Sequence, residues 1–70
     1  MTQKQKLIAD FLKRNQGRGF YLDIYDSLAF DFEDDNELNN TLDEMVKSGM
    51  LLIKTGEETE YLLPEKKGKK

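Results

Sequence analysis

Asn39 and Asn40 carry the side chains best suited to reading a nucleobase, because a carboxamide can accept from and donate to an adenine edge at once. Lys47 follows on the same segment, and Lys54 lies in a later apolar run. Lys4, Lys6, Lys13, Arg14 and Arg18 crowd the first part of the chain, and such cations displace counterions from a phosphate backbone. Together these nine residues are the candidate nucleic-acid set. A second constellation is of different character. Tyr25, Phe32, Asp35, Glu37 and Glu44 mix aromatic rings with carboxylates, the composition of a surface that takes a basic protein partner, with aromatics as anchors. Each set has a plainer alternative. The asparagines can belong to a solvated helix face, the lysines can serve solubility, and the aromatics can fill the core of a small domain.

Other chemistry is poorly supplied. The chain has no histidine and no cysteine, which excludes disulfides and the usual zinc ligand sets, and it has no glycine-rich phosphate loop. Asp34 and Asp35 are adjacent in a stretch that reads as exposed, where nothing would raise one carboxyl pKa for acid–base work. Asp31, Glu33 and Asp35 offer oxygen ligands for a hard cation but lack the glycine and distal glutamate of a calcium loop. The expectation is a protein that is not an enzyme and holds no metal or cofactor.

Charge is distributed unevenly along the 70 residues, whose net charge is -3. Residues 1–21 hold five cations against Asp10, residues 22–46 hold nine carboxylates and no cation, and residues 47–70 hold six lysines against four glutamates. An acidic middle between two basic ends bears on partners rather than on the fold. No apolar run approaches the roughly 20 residues of a membrane span. The expectation is a soluble, cytoplasmic protein without a membrane partner.

These residues need elements to position them. Thr2 and Gln5 match a capping box, and Leu7, Ile8, Phe11 and Leu12 recur as one apolar stripe, which predicts a first helix ended at Asn15-Gln16-Gly17. Arg18 to Tyr21 reads as a short extended link. Ile24 and Leu28 predict a second helix over 22–29, followed by a turn at 30–34. Asp34 or Asp35 then caps a third helix running to about Ser48, with Leu38, Leu42, Met45 and Val46 on its apolar face. Gly49 stops it. Strands over 51–54 and 59–63 flank a turn in which Gly56 is expected to take a positive φ. The expected core is Leu7, Phe11, Ile24, Leu28, Leu38, Leu42, Met45 and Ile53, with Phe20 and either Phe30 or Tyr61 added; Tyr21, Tyr25 and Phe32 are expected to help fill the thin core, with a partly exposed aromatic surface as the alternative. Pro64 ends the domain at residues 1–64, and residues 65–70 read as a flexible lysine-rich tail.

The order of helix, short strand, helix, turn, helix, glycine and hairpin resembles the winged helix-turn-helix superfamily of prokaryotic regulators. The local pattern Leu38-x3-Leu42-x2-Met45-x3-Gly49-Met50-Leu51 looks like the end of a recognition helix entering the wing. The resemblance implies an α+β fold with a C-terminal β-hairpin wing and a small bacterial or phage regulator of transcription. It would lay the third helix in the DNA major groove and the hairpin beside a phosphate backbone. Two copies could juxtapose their basic first helices as a homodimer. The chain departs from this pattern in the sign of its charge: the outward face of the third helix is acidic, and Glu57, Glu58 and Glu60 crowd the hairpin. A winged scaffold turned to binding a basic protein therefore stands beside the DNA reading.

Overall fold

The computed structural model describes residues 1–64; the lysine-rich segment 65–70 lies outside the described residues. The fold is α+β. Helix α1 (Gln3–Arg14) leads into strand β1 (Arg18–Phe20), helix α2 (Tyr21–Leu28) and a 3₁₀ turn (Ala29–Asp31). Helix α3 (Asp35–Lys47) and strands β2 (Leu52–Lys54) and β3 (Glu60–Leu62) complete it. The strands form one antiparallel sheet in the order β1-β3-β2, so the last strand lies in the centre.

The helix ends follow local chemistry. The Thr2 hydroxyl accepts from the Gln5 backbone N–H at 3.1 Å, and the Gln5 side-chain oxygen accepts from the Thr2 N–H at 3.0 Å, a complete capping box. At the other end Gln16 (φ 66°) and Gly17 (φ 85°) reverse the chain through left-handed backbone, and the Gly17 N–H reaches back to the Leu12 carbonyl. Asp34 caps α3 by accepting from the Glu37 N–H at 2.9 Å. Gly49 (φ 86°) ends α3, and the backbone N–H groups of Met50 and Leu51 both close on the Met45 carbonyl.

In the sheet, Gly19 and Ile53 both pair with Tyr61 in antiparallel register. Such opposed residues share one face, and that face meets the helices. A Cβ at Gly19 would lie 3.0 Å from Leu12 Cδ2 and 3.3 Å from Phe11 Cε2, so the missing side chain is what lets α1 approach the sheet. The Gly17 carbonyl accepts from the Leu63 N–H and the Thr59 carbonyl from the Tyr21 N–H, extending the β1–β3 join at both ends.

The core consists of Ile8, Ala9, Leu12, Ile24, Leu28, Phe32, Leu38, Leu42, Met45, Leu51 and Tyr61. It differs from the expected core in ways that geometry explains. On α1 the buried stripe is Ile8, Ala9 and Leu12, with Leu7 and Phe11 only half-buried at its edge. Ile53 is 46% exposed because β2 is an edge strand; Leu51, where the chain leaves α3, supplies the buried side chain instead. Phe20 is 40% exposed, since it stands beside Arg18's row on the face away from the helices. Of the pair Phe30 and Tyr61, Tyr61 is buried and Phe30 fully exposed. Phe32 is buried and fills the core, the first of its two expected roles, because Ile24, Leu28 and Phe32 continue one four-residue stripe past the end of α2. Gly56 is not among the positive-φ residues: the five residues between β2 and β3 make a wider loop that does not require one.

Leu42 is fully buried in the middle of α3. Leu42→Ala is expected to destabilise the fold by about 2–5 kcal/mol, which lowers Tm by more than about 8 °C in a domain of this size. A variant melting within a degree or two of the parent would contradict this packing. Tyr61 gives a second expectation. Burial, and then the neighbouring Tyr21 and Asp43, hold its phenol above the ordinary tyrosine range. The unfolded tyrosine ionises near ~10, so this stabilisation is complete below about pH 10 and is lost as pH rises through the folded value. Tyr61→Phe keeps the ring and removes the proton, so its Tm should fall less steeply than the parent's above about pH 10.

Candidate interaction surface

Lys4 is the most heavily used cation of the described residues. From α1 its Nζ donates to the Asp31 carbonyl that ends the 3₁₀ turn and lies 3.4 Å from Glu37 Oε1 on α3. It also stands 4.9 Å from the centroid of the Phe32 ring. The same Glu37 oxygen accepts from the Glu33 N–H at 2.7 Å. One ammonium and one carboxylate thus pin the link between α2 and α3 onto α1, with the buried Phe32 ring beneath them. Lys4 and Glu37, expected in the nucleic-acid and protein-binding sets, are both part of the scaffold.

Arg18 is similarly engaged. Its Nε donates to Glu60 Oε2 at 2.9 Å, between strands β1 and β3. Glu60 is 5% exposed and is the one buried charged side chain among the described residues. A buried carboxylate needs a partner, and here Arg18 is that partner. Lys47 pairs with Asp43 one turn earlier on α3 at 3.2 Å, in the orientation that suits the helix dipole.

The two asparagines part ways. Tyr21, at the start of α2, donates its phenol proton to Asn39 Oδ1 at 2.7 Å, so Asn39 helps tie α2 to α3. Asn40 is exposed and has no side-chain hydrogen bond among the described residues. Tyr25 lies beside Tyr21, ring centroids 6.1 Å apart, and remains half-buried. The Asp35 carboxylate next to it, first as hydrogen-bond acceptor and then as a negative charge, raises the Tyr25 pKa.

What remains outward on α3 is Asp35, Asn36, Asn40, Asp43, Glu44 and Lys47. The other cations of the nucleic-acid set are not gathered with them. Lys6 and Lys13 rim a groove of about 850 Å³ between α1, the end of α3 and the chain after β3. Arg14 borders a smaller depression of about 390 Å³ with Leu7, Phe11 and Ser27. Lys54 stands over the hairpin beside Phe20, Glu57 and Glu58. The expected basic set is therefore scattered over several faces, and two of its members are bound within the fold.

Comparison with known protein families, curated proteins and solved structures finds no match. The surface has to be read on its own geometry. Among the described residues no helix is long and apolar enough to cross a membrane, and no three acidic side chains converge as a metal site would require. Asp31, Glu33 and Asp35 are accordingly not drawn together.

Sequence reasoning missed the junction at Lys4 and the full exposure of Phe30. The i, i+4 spacing of Ile24, Leu28 and Phe32 was the available signal for the second, since it sends Phe32 inward and leaves Phe30 off the stripe. Nothing in the sequence marked Lys4 apart from its neighbours. Lys4→Ala should cost about 1 kcal/mol once partial exposure is allowed for, or about 4–8 °C in Tm. Lys6→Ala, on the free rim, should leave Tm within about 2 °C. Equal melting of the two variants would show that the junction carries no stability.

Proposed function

We propose that this chain is a winged helix-turn-helix scaffold used as a protein-interaction module. In this reading α2 and α3 form the helix-turn-helix, β2–β3 is the wing, and the outward face of α3 receives a cationic protein surface. The observation that carries it is the state of the cations. Residues 22–46 hold none, Lys47 answers Asp43, and Lys4 and Arg18 are bound within the fold. A DNA-reading helix gains most of its affinity from cations that replace counterions, and α3 has only Lys47 to offer. Its Asp35, Asp43 and Glu44 would each repel phosphate. The same residues are complementary to lysine- and arginine-rich protein, and Tyr25 at the edge of the face supplies an aromatic contact.

The carboxylates suitable for a test are Asp35 and Glu44, because Glu37 belongs to the Lys4 junction. Titration with a lysine-rich amphipathic peptide at about 0.15 M salt, where exposed charges are screened beyond ~8 Å, should shift the amide resonances of Asn36, Asn40 and Glu44. A random DNA duplex should leave them unmoved. The double variant Asp35→Lys/Glu44→Lys should reverse this preference, losing the peptide and gaining salt-dependent DNA binding. Salt-resistant DNA binding whose sequence preference falls by about 1–3 kcal/mol in Asn40→Ala would instead establish α3 as a base-reading helix.

A further inference from the structure

Phe30 is fully exposed at the tip of the 3₁₀ turn, with Asp26, Asp31 and Glu33 close to it in sequence and also at the surface. A lone exposed leucine would need no comment. A whole phenyl ring standing out of a turn whose neighbours in sequence include three exposed carboxylates has the form of an interface anchor. The turn is held from behind by the Lys4–Asp31 hydrogen bond and by the buried Phe32, so the ring is presented without loop ordering on binding.

The molecule also carries a receptor of matching chemistry. The groove between α1, the end of α3 and the chain after β3 is floored by Ala9, Met45, Met50 and Leu63. Its volume of about 850 Å³ is ample for one aromatic side chain and its turn. Methionine adapts to the shape of an inserted ring and makes favourable sulfur–aromatic contacts. Lys6 and Lys13, seven residues apart and hence on one face of α1, rim it, with Asp10 between them.

We propose that the Phe30 turn of one copy docks in the Lys6–Lys13 groove of a second copy of this chain. The apolar ring meets an apolar floor, and the acidic shoulders meet the two lysines. The contact joins two different patches, so it is heterologous, and copies add head to tail. One ring and its shoulders bury less than a standard interface of about 1,200–2,000 Å², which places the association in the weak class, with Kd on the order of 0.1 mM. It is independent of what the outer face of α3 binds, since none of Asp35, Asn40 or Glu44 takes part.

The test uses the full chain and two variants. Phe30→Ala removes the anchor, and Lys6→Glu/Lys13→Glu reverses the rim; all three positions are exposed, so both variants should keep the parental melting curve. Sedimentation of the parent should show average mass rising with concentration toward about 1 mM, and rising less in high salt. Each variant alone should stay monomeric. Their equimolar mixture should form a dimer and nothing larger, because one brings an intact groove and the other an intact anchor. A parent that is monomeric at the highest concentration overturns the proposal, as does self-association that survives either substitution. So does a mixture that stays monomeric. A groove that takes a foreign acidic aromatic peptide while the chain itself never associates would assign it to a different partner.

Discussion

The pairing of β1 with β3 closes this chain. The two strands lie some forty residues apart, and β3, though last, is inserted between β1 and β2. Everything from Tyr21 to Thr59 is thereby a loop whose ends are fastened by the Tyr21 N–H to Thr59 carbonyl bond. Closing a long loop is entropically unfavourable, though the dependence on length is weak. The closure is offset where α1 rests on Gly19 and where Tyr61, opposite it, turns into the core. Without that join, α2 and α3 would share a core with α1 but have no fixed relation to the hairpin. The Lys4 junction adds a second fastening at the opposite side of the loop, between α1 and the α2–α3 link.

Elements were legible in this sequence because they depend on local rules. The Thr2–Gln5 box, the Asp34 cap, the left-handed Gly17 and the stop at Gly49 are each set by a few neighbouring residues, and each occurs where those residues place it. Phase was less legible. Leu7, Ile8, Phe11 and Leu12 define a stripe whose centre shifts once Ala9 is counted as apolar, and the structure centres it on Ile8 and Leu12. Ile53 reads as core from its type alone; only the strand order reveals that β2 is an edge. Side-chain pairing was not legible at all. Lys4 and Glu37 are 33 residues apart, and Arg18 and Glu60 are 42 apart, so no spacing rule connects them.

That gap matters most for charge. Counting signs along the chain gives a basic first third, and such a count treats every cation as free. In the folded chain the basic third has partly been used to neutralise the acidic middle and the acidic hairpin. Lys4 answers Glu37 across the helix layer, and Arg18 answers Glu60 across the sheet. Among the described residues, the cations left over do not gather on one face: Lys6 and Lys13 border one groove, Arg14 a second depression and Lys54 a third. A tally of charge bounds the field of a protein, but only the pairing decides what that field can hold.

The two pairs differ in how firmly they commit their cations. Lys4 and Glu37 are each a little over a third exposed at the side chain, so their Coulomb attraction is screened and contributes modestly. What fixes Lys4 is the sum of the Asp31 carbonyl, the Phe32 ring and the Glu37 carboxylate, each weak alone. Arg18 is more exposed than Lys4, yet its commitment is greater, because the Glu60 side chain it meets is only 7% exposed. Withdrawing the arginine would leave the buried Glu60 carboxylate without its partner, a loss larger than the pair itself contributes. A phosphate could draw Arg18 away only by exposing the fold to that loss at the β1–β3 join. The residue that sequence alone offers as a backbone contact for DNA is thus held by the strand pairing that closes the chain, and the competition between those two uses favours the fold.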